Sequence, residues 1–244
     1  MDRNTLKAIR IMAMVITILA VIAFMFSNVS VNADADIVEV PSFNNIPTLY
    51  YSYNGDVAGD KINIDKQIEY LNEIENKAQH NADEMWLCKD YESMMVFNKI
   101  VEQSNIWKQD YQKIANYTYA DWRMLAVTAY VESRGCTLEH KSYVCQVLLN
   151  RCADSRFNSD IYGNLVRPNQ YAKYYTYMST AQKFMKDKTE WYECETAALL
   201  AMQGAVNMPS NVIYQSNNNI GTGVWKKIIH KTRWYSSTTY FNYG

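Results

Sequence analysis

The sequence predicts an α+β fold that is mostly helical, and three observations predict it. Apolar residues recur at helical spacing from Ile64 to Ala115. Three further helical runs follow, at 122–133, 141–152 and 193–206. Only one short stretch, N-V-I-Y-Q-S-N (211–217), reads as a strand, ahead of a closing aromatic segment at 227–241. With 244 residues and 48% hydrophobic content, the chain can bury a substantial core in one or two domains.

The N-terminus carries the first signal. Arg3, Lys7 and Arg10 precede Ile11 to Phe26, sixteen residues without a charge. Val31-Asn32-Ala33 or Ala33-Asp34-Ala35 then offers a small-x-small cleavage site. A basic start, an apolar stretch and such a site make residues 1–35 a secretory signal. The alternative is an uncleaved anchor, because residues 11–33 match the length of about 20 that spans a bilayer. Either places the remainder outside the membrane, since the basic flank stays inside. Three of the 24 basic and two of the 25 acidic residues lie in 1–35, which leaves 21 against 23 in the exported part. A nucleic-acid partner would call for a basic excess, so none is expected.

Residues 36–63 read as a linker or stalk, because positions 36–60 hold two prolines, two glycines and several Asn and Asp. Residues 64–118 form an amphipathic helical segment. Ile64, Ile68, Leu71, Ile74, Ala78, Ala82 and Met85 trace one stripe, and Phe97, Val101, Trp107, Tyr111 and Ile114 trace a second. Two such helices make a hairpin or arm suited to spacing, packing or self-association. Residues 119–244 form a domain of different texture. Asp121 is the expected N-cap of the helix 122–133, and Gly135 its C-terminal stop. A helix at 141–152, a loop at 153–171 and a Tyr-rich stretch at 172–192 follow. In 193–206, Ala197, Ala198, Ala201 and Gly204 permit close approach of a neighbouring helix.

One residue of this domain stands out. Leu125, Thr128, Ala129 and Glu132 share a helix face, so Glu132 ends an apolar stripe. Burial disfavours the charged carboxylate and raises its pKa, as a general acid at neutral pH requires. The structural alternative is a partly buried Glu132 paired with Arg134 or Arg151.

Five cysteines (88, 136, 145, 152 and 194) leave room for two disulfides and one free thiol in an oxidising compartment. Cys145 and Cys152 cannot pair within one helix, where seven residues separate them by roughly 10 Å. There is no C-x-x-C pair and there are three histidines, so neither a metal nor another cofactor is expected. The 20 Tyr and 6 Trp suit either a packed core or stacking on sugar rings.

The stretch L-A-V-T-A-Y-V-E-S-R-G is followed by V-L-L-N-R (147–151), S-R-F-N-S-D-I-Y-G (155–163), R-P-N-Q-Y (167–171), an Ala-rich helix, V-I-Y-Q-S-N and T-R-W-Y (232–235). In order and spacing this series resembles the SleB-type cell-wall hydrolases, the catalytic domain of spore-cortex-lytic enzymes. The resemblance covers roughly 121–235, about half the chain. It implies a compact lysozyme-like or lytic-transglycosylase-like domain that cleaves the glycan strands of peptidoglycan, in the cell wall or in the spore cortex during sporulation or germination. Glu132 matches the family's catalytic glutamate. Arg134, Asn150, Arg151, Gln170, Tyr171 and Tyr214 are the candidate substrate contacts. Thr232 stands where the family usually has a histidine, and the helical segment 64–118 occupies the place of a peptidoglycan-binding repeat.

Hydrolysis of a glycoside by the common routes needs a second carboxylate, for which Glu139, Asp154 and Asp160 are candidates. Lytic transglycosylation needs one only. Two rival readings exist. One is a non-catalytic, membrane-tethered wall-binding protein, in which Glu132 is structural. The other is a cysteine peptidase using Cys136 with His140, four residues on.

Overall fold

The chain is mostly helical with one small antiparallel sheet. The computed structural model describes residues 35–49, 59–168, 170–171, 188–231 and 236–244. Residues 1–34 of the expected signal segment, 50–58 of the expected linker, the core of the Tyr-rich stretch (172–187) and T-R-W-Y (232–235) lie outside the described residues. Six α-helices occur among the described residues: α1 (Asp65–Leu87), α2 (Tyr91–Ile114), α3 (Tyr119–Ser133), α4 (Leu138–Ala153), α5 (Ile161–Val166) and α6 (Lys188–Met202). Three strands close the chain: β1 (Val212–Ser216), β2 (Gly223–Lys231) and β3 (Ser236–Tyr243). Among the described residues no helix is long and apolar enough to cross a membrane.

The chain divides into two units, Met1–Thr48 with Asp65–Lys108, and Leu49–Ile64 with Gln109–Gly244. In the first, the apolar stripe of α1 is buried at Leu71, Ile74, Ala78, Ala82 and Met85, and α2 contributes Phe97 and Ile100. The two helices run antiparallel as a hairpin, and Lys108 near the end of α2 pairs with Glu75 in the middle of α1. Of the expected linker 36–63, the described N-terminal part is bonded to α1. Asn81, fully buried on α1, exchanges two hydrogen bonds with the backbone of Val38 at 2.9 and 2.8 Å, and Gln67 donates to the Pro47 carbonyl at 2.9 Å. The later part of the stretch joins the second unit. There, Ile62 donates its N–H to the Tyr117 carbonyl at 3.1 Å and buries its side chain.

In the second unit α3, α4 and α6 pack on one another, and β1 lies against α4. Their shared core holds Leu125, Ala126, Ala129, Cys145, Leu148, Cys194, Ala197, Ala198 and Ala201. The alanines of α6 thus allow close approach, as the sequence predicts. Gly204 is not part of that face, because the helix stops at Met202 and Gly204 sits beyond it at φ +74°. The sheet has the order β1-β3-β2, with β3 antiparallel to both neighbours. Val212 and Phe241 from the sheet close a second core against Tyr143, Val144 and Val147 of α4. All five cysteines are free thiols, so no disulfide framework holds this fold.

Candidate active site

Two well-made ends frame Glu132. At the start of α3 the N-cap is Thr118, not Asp121. Thr118 Oγ1 accepts from the Asp121 N–H at 3.1 Å, and the Asp121 carboxylate accepts from the Thr118 N–H at 2.9 Å. This is a reciprocal capping box, in which the acid three residues on returns the bond. At the other end Glu132 is one residue from the last of α3, and Gly135 turns the chain at φ +74°, where a β-carbon would be strained. The Gly135 N–H donates to Glu190 of α6 at 3.0 Å.

Glu190 is itself held by Lys141, a fully buried ammonium 2.9 Å from Glu190 and 2.5 Å from Glu193. Burial works against that charge. The bonds from Glu193 and Glu190 outweigh it and raise the Lys141 pKa above its ordinary value. Lys141, the first residue of the helix expected at 141–152, lies within a helix that begins at Leu138 and anchors the turn that follows Glu132.

The half-buried Glu132 faces β1, where Gln215 Nε2 donates to its Oε2 at 3.5 Å. The other amide atom, Gln215 Oε1, is buried with no hydrogen-bond partner among the described residues. The Tyr171 phenol lies within reach of the Glu132 charge. Burial first, and then the Glu132 charge, push its pKa up, while Arg151 pulls it down. The Tyr171 hydroxyl is also buried without a partner among the described residues. Buried polar atoms without a partner are uncommon in folded proteins, and these two belong to residues that touch Glu132 or feel its charge.

The remaining candidates divide. Asn150 and Arg151 are 5% and 4% exposed. Asn150 donates to the carbonyls of Pro209 and Val212, both at 2.9 Å, and accepts from Gln146. Arg151 Nε donates to the Ile213 carbonyl at 2.6 Å, and its guanidinium lies over the rings of Tyr171 and Phe157. Together they tie α4 to β1, which sets Gln215 opposite Glu132. Tyr214 is half-buried and packs edge-on against Phe157 at 6.2 Å. Gln170 and Arg134 are exposed, with Arg134 over the Tyr130 ring at 5.8 Å.

The three acids offered as second carboxylates are engaged elsewhere. Glu139 binds Lys226 at 2.7 Å and accepts from the Tyr143 hydroxyl at 2.5 Å. Asp154 pairs with Arg156 at 2.7 Å, which holds its carboxyl down at about 2. Asp160 is the N-cap of α5, accepting from the Gly163 N–H at 2.6 Å. Among the described residues no three His, Cys, Asp or Glu side chains gather as a metal site.

Comparison with protein-family models, with curated proteins and with solved structures finds no match.

Cys136 and His140 do not have the character of a nucleophile and its base. Burial pushes the Cys136 thiol up, which disfavours the thiolate. His140 packs edge-on against Phe241 at 5.5 Å with both ring nitrogens buried and without partners among the described residues. Burial, then the neighbouring His230, hold its pKa down at about 4. The unfolded chain takes up this proton near pH 6.5, so the neutral ring stabilises the fold above that pH. The contribution is lost as pH falls from 6.5 toward 4, and amounts to about 3 kcal/mol in all. Denaturant titrations between pH 7 and 4 should show it, with a shallower decline in His140→Leu. Parallel declines in the two proteins would remove His140 as the cause.

Proposed function

We propose that this chain cleaves the glycan strands of peptidoglycan outside the cytoplasmic membrane, with Glu132 as both proton donor and proton acceptor. One observation carries the reading. Glu132 stands near the end of a helix with a largely buried face, with Gln215 against it and the Tyr171 phenol within reach of its charge, while Glu139, Asp154 and Asp160 are occupied elsewhere. A single carboxylate suits intramolecular transglycosylation better than the two-carboxylate hydrolytic routes. The resemblance of E-S-R-G, L-N-R and P-N-Q-Y to SleB-type cell-wall hydrolases, and the basic–apolar start of the chain, point the same way. The second unit is then a lysozyme-like scaffold, and the N-terminal segment exports or tethers it.

The chemistry needs few groups. Protonated Glu132 gives its proton to the glycosidic oxygen as the C1–O bond breaks and the leaving sugar departs as an alcohol. The resulting carboxylate takes the proton of the muramoyl 6-hydroxyl as that oxygen bonds to C1. A 1,6-anhydro end forms, no water is consumed, and Glu132 is again protonated. Tyr214, Tyr171 and Gln170 supply aromatic and amide contacts to sugars, and Arg134 lies at the exposed edge. Asn150 and Arg151 act from beneath, by fixing β1. Purified full-length protein incubated with sacculi should release soluble glycan fragments. Tight binding without release would point to the wall-binding alternative, and release of new amino ends would point to a peptidase.

A further inference from the structure

A series of stacked groups leads away from Glu132 to a guanidinium that meets no carboxylate among the described residues. Tyr171 lies within reach of the Glu132 charge. Arg151 lies over Tyr171 at 5.2 Å and over Phe157 at 5.4 Å, and Arg167 lies over Phe157 at 5.0 Å. The inner guanidinium is buried and committed to the Ile213 carbonyl. The outer one is half-buried. Its Nη1 donates to the Arg156 carbonyl at 2.9 Å, and among the described residues it meets no carboxylate. The two acids of the same loop are taken, Asp154 by Arg156 and Asp160 by the α5 N-terminus.

The α4–α5 loop, which carries Phe157, is well fixed against α5, whose C-cap is Arg167. Asn164 donates to the carbonyls of Asn158 and Asp160 at 2.6 and 2.9 Å. A β-carbon at Gly163 would lie 2.3 Å from the Asn158 amide nitrogen, so the Asn158 side chain packs where only glycine leaves it room. Arg167 is thus held in place at one end of the guanidinium, by its ring and one carbonyl, and its other N–H groups are open to an incoming planar anion. A carboxylate is the anion that this fork fits.

We propose that Arg167, on its Phe157 platform, is a subsite for the carboxylates of the stem peptides that hang from the glycan. This rests on the glycan-cleavage reading and adds to it a preference for peptide-bearing over stripped strands. The test uses full-length Glu132→Gln protein in detergent, so that binding is measured without turnover. Its affinities are compared for glycan strands with intact stems and for the same strands stripped by an amidase. Intact strands should bind about tenfold more tightly, the range of one charge-assisted contact. Arg167→Gln in the same background should lose that preference and still bind stripped strands, while Arg167→Lys should keep part of it. Equal affinity for both strands in the Arg167 protein, or a preference that survives Arg167→Gln, overturns the subsite and leaves glycan recognition standing. Binding to neither strand overturns the glycan reading itself. If Arg167→Gln melts early, the two-strand comparison in the Arg167 and Arg167→Lys proteins decides.

Discussion

Glu132→Gln should give a protein that melts with the parent and cleaves peptidoglycan roughly 10²–10⁴-fold more slowly, the contribution of a positioned general acid. Gln keeps the size of the side chain, and its carbonyl can still accept from Gln215 Nε2. It has no proton to give to a glycosidic oxygen. A purely structural Glu132 makes the opposite forecast. Removing one member of a buried ion pair costs about 3–5 kcal/mol, so the variant would melt early and yet be active whenever folded. Melting temperature and fragment release, measured on one preparation, separate the two outcomes.

Lys141→Met should be the most destabilising single change around the site. Lys141 is wholly buried between Glu190 and Glu193, and removing its charge leaves Glu190, itself only 15% exposed, without its cation. Glu193 is 43% exposed and can return to water, so the expected loss is near the lower end, about 3 kcal/mol. For a chain of this size that lowers Tm by about 6–12 °C. The double variant Lys141→Met/Glu190→Gln should recover much of the loss, because a buried pair replaced as a whole often costs little. If Lys141→Met melts within a degree or two of the parent, the buried cation is not what holds the turn after Glu132.

Much of the fold was legible wherever one local pattern decides it. The stripes of α1 and α2 follow 3.6-residue spacing that no distant contact needs to support, and Gly135 ends α3 because the left-handed turn there suits glycine. Where two residues fit the same role, the choice went astray. Thr118 and Asp121 both suit a helix start, and the capping box uses both, with Thr118 as the cap. Helix α5 was read as loop because Gly163 weakens a six-residue helix, although Asp160 caps it. The closing segment 227–241 showed its aromatics but not its pairing, since β2 and β3 earn their places by bonding to each other and to β1.

At the site, Glu132 could be found because a carboxylate ending an apolar stripe is a local anomaly. Gln215, Phe157 and Arg167 are ordinary residues until β1 and the α4–α5 loop come together. Asn150 and Arg151 illustrate the converse. Polar side chains in L-N-R looked like contacts for a ligand, yet their donors are directed to the carbonyls of Pro209, Val212 and Ile213. Which way a polar residue points is a tertiary property, and so is the full burial of Lys141.

The most direct measurement is the chemistry of the ends created when full-length protein acts on purified glycan strands, read by mass spectrometry in isotopically labelled water. If Glu132 works as the only carboxylate, the new ends are 1,6-anhydromuramoyl and carry no label, and Glu132→Gln forms them roughly 10²–10⁴-fold more slowly. Labelled reducing ends would contradict the single-carboxylate route, and strands left intact by the folded parent would contradict glycan cleavage altogether.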